Sequence, residues 1–94
     1  SDVVNVTKNL ETNTYKAFDK DNKEITLDMN AVEAEFDNKW KEAIGQSLHY
    51  AESTNRRAAI LFIKRQNSRK DYYGELERVI NKYQLPITVF TINQ

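Results

Sequence analysis

Glu33 and Glu35 stand two residues apart in the run Val32-Glu33-Ala34-Glu35-Phe36, and a β-strand places side chains at that spacing on one face. Val32, Ala34 and Phe36 then pack on the other side. Two carboxylates on a common face are hard oxygen donors of the kind that hold Mg2+ or Mn2+. The residues after them read as a helix in which Lys39, Gln46 and Tyr50 are separated by seven and then four positions. At about 100° per residue these three fall within roughly 40° of one another and make one polar stripe. An acidic strand leading straight into a helix with an amide and a phenol suits metal-dependent phosphodiester hydrolysis, in which the cation makes a water more acidic and neutralises charge growing on phosphate.

The elements that must position these residues are legible from hydrophobic spacing and turn chemistry. Residues 1–10 are polar with Val3, Val4 and Val6 interspersed, and read as a short strand or a loosely attached arm. Thr14–Phe18 and Lys23–Met29 alternate β-favouring residues around Asp19-Lys20-Asp21-Asn22, which predicts a hairpin. Asn30 allows a second reversal into a third strand, Ala31–Phe36, after which Asp37 or Asn38 caps a helix from Lys39 to about Ser53. Trp40, Ile44, Ser47, Leu48 and Ala51 form its core-facing stripe. Gly45, in mid-helix, costs about 1 kcal/mol relative to alanine and predicts the close approach of another backbone. Ala58–Ile63 is an apolar run bounded by charge, the mark of a central strand covered on both faces. A second helix over Arg69–Tyr83 turns Tyr72, Leu76, Val79, Ile80 and Tyr83 inward, Leu85-Pro86 ends it, and Ile87–Ile92 is the last strand. The order is βββαβαβ, an α/β domain with a mixed sheet.

Glu33-Ala-Glu35 followed by Gln46-Ser-Leu-His-Tyr50 resembles the PD-(D/E)xK nuclease superfamily, particularly its RecB-like branch with a QxxxY helix. The longer string KWKEAIGQSLHYA resembles a group of small bacterial proteins in which an acidic strand, a Lys-Trp pair and an AIGQSLxYA helix follow one another. The likeness runs over about residues 23 to 92. It implies a restriction-endonuclease-like mixed sheet of about five strands with helices packed on it, and a Mg2+ or Mn2+ cofactor. By the same likeness Glu33 is the ligand at the E-x-K position and Glu35 stands where lysine is common; the stripe offers Lys39 in its stead. The second-strand metal acid is Glu24, the ungapped counterpart, or Asp28, an even step further on. Gln46 bonds a ligand carboxylate or a phosphate, and Tyr50 contacts the nucleic-acid backbone. The family core usually opens with a helix, which residues 1–10 are poorly suited to supply.

Composition narrows the alternatives. The chain has 94 residues, two glycines, one proline and no cysteine, so it is one small domain whose core is made without disulfides or thiolate metal sites. No apolar run approaches the roughly 20 residues that span a bilayer, which points to a soluble chain without a membrane partner. Ser1 in place of an initiating Met reads as a processed or an engineered end, with a removed leader and the compartment both left open. Net charge is zero, but residues 1–52 hold eleven acids against six bases and residues 53–94 eight bases against three acids. Arg56, Arg57, Lys64, Arg65, Arg69 and Lys70 fall in a stretch free of acids, between Glu52 and Asp71. They are the expected nucleic-acid-binding rim, DNA before RNA; the blander reading is a solvated flank of a buried strand. Trp40 reads as core, and His49, the only histidine, as an exposed helix residue. Tyr72 and Tyr73 divide between the core and base stacking. No Gly-rich phosphate loop, Cys/His zinc cluster or Ser/His/Asp set is present. A domain of this size reads a limited stretch of nucleic acid, so a homodimer or a larger partner is expected. The rival function is a catalytically inactive nuclease-fold module that binds nucleic acid or protein.

Overall fold

The computed structural model describes residues 2–9, 11, 14–28 and 32–94, and of residues 2, 8, 9, 14, 15 and 26–28 the backbone alone. In chain order the elements are β1 (Asp2–Val3), β2 (Asn5–Asn9), β3 (Thr14–Phe18), β4 (Glu24–Asp28), β5 (Val32–Phe36), a 3₁₀ turn (Asp37–Lys39), α1 (Trp40–Thr54), β6 (Ala58–Lys64), α2 (Tyr72–Tyr83) and β7 (Ile87–Asn93). The reversal at Asn30, the end of the expected second strand at Met29 and the start of the third at Ala31 lie outside the described residues.

The chain is an α/β domain with two sheets where the sequence predicts one. The larger sheet is parallel throughout, in the order β1-β7-β6-β5, and the smaller is antiparallel, β2-β3-β4. The β3–β4 hairpin pairs with β2 rather than running on into β5, so the mixed five-stranded sheet is divided. From β5 to β6 to β7 each crossover steps one strand in the same direction, which puts α1 and α2 on the same face. Trp40 and Ala43 of α1 and Leu76 of α2 accordingly share a core with Ala58, Ile60, Phe62 and Ile87. The other face of the parallel sheet carries Leu61, and there Val3 and Ala17 are buried with Val6, Ile25, Val32, Ala34, Phe90 and Ile92 packed around them. The layers are therefore helices, parallel sheet, antiparallel sheet.

β6 explains this layering. Its residues point alternately into the two cores, and Ile60 and Phe62 on one side and Leu61 on the other are at most 3 % exposed. Each such side chain contributes about 1.5–3 kcal/mol when fully buried, so the strand must be covered twice. The first residues supply part of that cover: β1 pairs in parallel with β7, and Val3 is 2 % exposed, so this segment is a built-in strand rather than a loose arm.

Local chemistry closes each element. In the β3–β4 turn Asp19 Oδ1 accepts the N–H groups of Asp21 and Lys23, both at 2.9 Å, and Asn22 takes the left-handed conformation at φ 59°. α1 ends at Asn55, also left-handed, whose N–H donates to the Ala51 carbonyl. α2 opens at Asp71, whose carboxylate accepts the Gly74 N–H at 3.0 Å. A Cβ at Gly74 would run into that same carboxylate, so the cap requires glycine there. α2 stops at Tyr83, and Gln84 in the left-handed region turns the chain before Pro86. Tyr83 is 64 % exposed rather than inward. Among the described residues no helix is long and apolar enough to cross a membrane.

Gly45 departs from expectation. It is exposed, and a Cβ there would meet nothing within 4 Å, so no backbone closes on it. With ordinary helical φ and open space around it, the residue gives up helix propensity without a packing return. Gly45→Ala should stabilise the fold by up to about 1 kcal/mol, read as a higher urea midpoint at unchanged slope.

Candidate functional site

β5 is an edge strand of the parallel sheet, and its register decides where the acids point. Glu33 lies opposite Ile60 and Glu35 opposite Phe62, both residues of the helix-side core, so the two carboxylates face the helix layer. Both are half-buried. Burial pushes the Glu33 carboxyl above its ordinary value, and the negative charge of Glu35 and a hydrogen bond shared with it push the same way. The pair predicted from sequence thus lies on one face, half-buried, with the charge of Glu35 raising the proton affinity of Glu33.

The second-strand acids do not join it. Ile25 points into the core between the sheets, so Glu24 points out of the antiparallel sheet, where it pairs with Lys16 Nζ at 3.6 Å. Glu24 and the Glu33–Glu35 pair therefore belong to different sheets and face away from each other. The side chain of Asp28 lies outside the described residues. Among the described residues no group of three or more His, Cys, Asp or Glu side chains converges.

Of the three residues expected to share a helix stripe, Gln46 and Tyr50 lie on α1 and Lys39 lies in the 3₁₀ turn before it. Lys39, just before α1, is exposed and pairs with Glu42 Oε1 at 3.7 Å, so its ammonium is engaged along the helix and not at the carboxylates. Gln46 is exposed and Tyr50 is 46 % exposed, on the flank next to buried Ala43 and Ser47. Trp40 is core, as expected, with its indole N–H donating to Glu75 Oε1 at 3.1 Å. His49 is exposed on α1, again as expected.

The basic residues divide between the two ends of the parallel sheet. Arg56 and Arg57 precede β6 at its amino end, where Arg57 Nε donates to Thr88 Oγ1 at 2.7 Å. Lys64, Arg65, Arg69 and Lys70 gather at the carboxyl end, around a cleft of about 490 Å³. Open α/β sheets place ligands outside the carboxyl ends of their strands.

Asp37 organises that cleft, although its place in the sequence is that of a helix cap. It is 3 % exposed and forms no cap; its Oδ1 accepts the Asn38 N–H and Arg65 Nε, each at 2.9 Å, and its Oδ2 accepts the Ser68 hydroxyl. Burial raises its proton affinity, but the hydrogen bonds from Ser68 and Arg65 and the guanidinium charge outweigh it and hold the carboxyl below its ordinary value. The signal available in sequence is its position, an aspartate immediately past a parallel strand.

Opposite shifts give opposite pH dependences. The stability that Asp37 contributes is complete above its ordinary pKa of 3.8 and is lost as pH falls through the lowered value. Asp37→Ala should cost about 2–3 kcal/mol at neutral pH and flatten the acid limb of a stability–pH curve. Glu33 has the reverse sign: its cost is present when it is ionised and is relieved as pH falls towards 4.5. Glu33→Gln should raise the urea midpoint at pH 7, with the gap from the parent chain closing as pH is lowered to 4.5.

No protein-family model matches this chain, and no curated protein or solved structure is significantly similar to it.

Proposed function

We propose that the chain is a divalent-metal-dependent phosphodiester hydrolase of PD-(D/E)xK type, acting on DNA in preference to RNA, with Glu33 and Glu35 holding Mg2+ or Mn2+. The observation that carries this reading is the pair itself: two half-buried carboxylates on the helix-side face of β5, with burial and the charge of Glu35 raising the proton affinity of Glu33. A divalent cation relieves both loads at once. The donor set fits, since Mg2+ takes one or two carboxylates and completes its shell with water and phosphate oxygens, so the absence of Glu24 from the pair does not forbid it. When bound, the cation supplies a more acidic water and a counter-charge for the phosphate. Glu35 would orient that water, and exposed Gln46 and Tyr50 would reach phosphate oxygens from α1. Arg65, Arg69 and Lys70 steer the polyanion by charge, and a homodimer or larger partner extends the contacted length.

A second reading is favoured by Glu24, whose place on the outer face of the other sheet removes the second-strand ligand. In it the domain keeps a nuclease-like architecture and binds nucleic acid without cutting it. Calorimetric titration with Mn2+ beside a supercoiled-plasmid nicking assay separates the two. The hydrolase reading expects saturable Mn2+ heat and Mn2+-dependent nicking from the parent chain, with both lost in Glu33→Gln while far-ultraviolet circular dichroism is unchanged. Nicking that persists in Glu33→Gln sinks the assigned pair; neither heat nor nicking from the parent chain leaves the binding module.

A further inference from the structure

The carboxyl-end cleft does not stop at α2. A second cleft of about 390 Å³, lined by Asn38, Trp40, Lys41, Glu75 and Arg78, lies between the two helices, and it shares Lys70 and Tyr72 with the first. The two clefts thus adjoin at a common wall made by an aromatic ring and an ammonium.

The charges along them are sorted. Of the acids that line the groove, Asp37 is occupied by Arg65 and Ser68, Asp71 accepts the Gly74 N–H, and Glu75 accepts the Trp40 indole N–H. Lys64, Arg69 and Lys70 in the first cleft and Lys41 and Arg78 in the second form no ion pair among the described residues. Lys41 lies over the Trp40 ring at 5.6 Å and Lys64 over the Tyr73 ring at 5.8 Å, so two of these ammonium groups are held against aromatic faces. A groove with satisfied acids, surplus cations and aromatic walls is complementary to a chain of phosphates that carries flat bases.

We propose that this groove is a single-stranded nucleic-acid track. The strand passes from the carboxyl ends of β6 and β7 over Lys70 and Tyr72 into the furrow between α1 and α2. Tyr72 offers its ring to a base at the junction, and Lys64, Arg69 and Lys70 on one side and Lys41 and Arg78 on the other meet successive phosphates. Clefts of a few hundred cubic ångströms accommodate small-molecule-sized groups, a nucleotide apiece, and not the girth of a duplex. The track rests on the nucleic-acid reading above for its class of ligand and names the form that ligand takes. It involves neither Glu33 nor Glu35.

Fluorescence anisotropy with a labelled twelve-residue oligothymidylate, in EDTA, tests the track apart from any metal chemistry. The parent chain should bind it at least about tenfold more tightly than a twelve-base-pair duplex. Lys70→Glu should weaken binding about tenfold and lower the salt slope by about 0.7 for each phosphate no longer neutralised. Tyr72→Leu, which keeps an apolar side chain against the core, should weaken it roughly five- to hundredfold. Lys82→Glu makes the same charge change at the far end of α2 and should leave affinity within about twofold. Should Tyr72→Leu fail to fold, Lys70→Glu against Lys82→Glu still decides. Equal or tighter binding of the duplex, or equal losses at Lys70 and Lys82, overturns the track. Nicking without single-strand binding would leave the hydrolase standing and remove the groove; the converse would do the opposite.

Discussion

One buried carboxylate holds the carboxyl end of the parallel sheet together. Asp37 sits where β5 ends and reaches across 28 and 31 residues of sequence to Arg65 and Ser68, which lie just past the end of β6. That knot fixes the turn that launches α1 relative to the loop that delivers α2. The two helices could pack on the same face of the sheet without it, but the space between their amino ends would be undefined. Because Arg65 remains partly exposed while Asp37 is not, the pair is asymmetric: the guanidinium keeps some hydration, and the carboxylate depends wholly on its three donors. An unpaired charge in that position would be costly, so the loop from Arg65 to Ser68 is constrained by the electrostatics of a single residue.

Elements governed by local patterns are legible in the sequence, and those governed by distant pairing are not. β3 coincides with its predicted range, and β6, α1 and β7 fall within one or two residues of theirs, since each carries its own periodicity and its own stop signal. Gly45 misleads because propensity arguments assign every helical glycine a neighbour, and here the neighbour is solvent. Tyr83 misleads because the i, i+4 rule carries a core stripe to the end of the helix whether or not anything lies beneath it. The division into two sheets depends on which strand accepts the β3–β4 hairpin, a choice between long-range partners that alternation does not encode. Asp37 combines both problems. Its local position is that of a cap, and its partners lie in another loop.

The candidate site divides in the same way. That Glu33 and Glu35 share a face follows from strand period alone, and the register with Ile60 and Phe62 bears it out. That Glu24 would join them requires a particular sheet, and the pairing with β3 sends it outward to Lys16. The basic stretch is visible as composition, yet only the fold separates Arg56 and Arg57 at the amino end of β6 from the four cations at its carboxyl end. Zero net charge therefore conceals a local concentration of four cations, Lys64, Arg65, Arg69 and Lys70, around the cleft at the carboxyl end of the parallel sheet.

Two acids turned toward the helices on an edge strand have a purely structural explanation, since inward-pointing charge discourages edge-to-edge pairing between sheets. That explanation accounts for one charge more easily than for two. A single lysine, with its long stem and compact head, protects an edge at low cost, whereas two glutamates on one face repel each other and one of them is desolvated. Neither forms an ion pair among the described residues, so no cationic side chain offsets the repulsion. Local conflicts that the rest of a structure must tolerate concentrate at sites with work to do. A half-buried pair of carboxylates on one face is a heavier load than edge protection alone asks for, and the proposed metal-binding role is the reading that would relieve it.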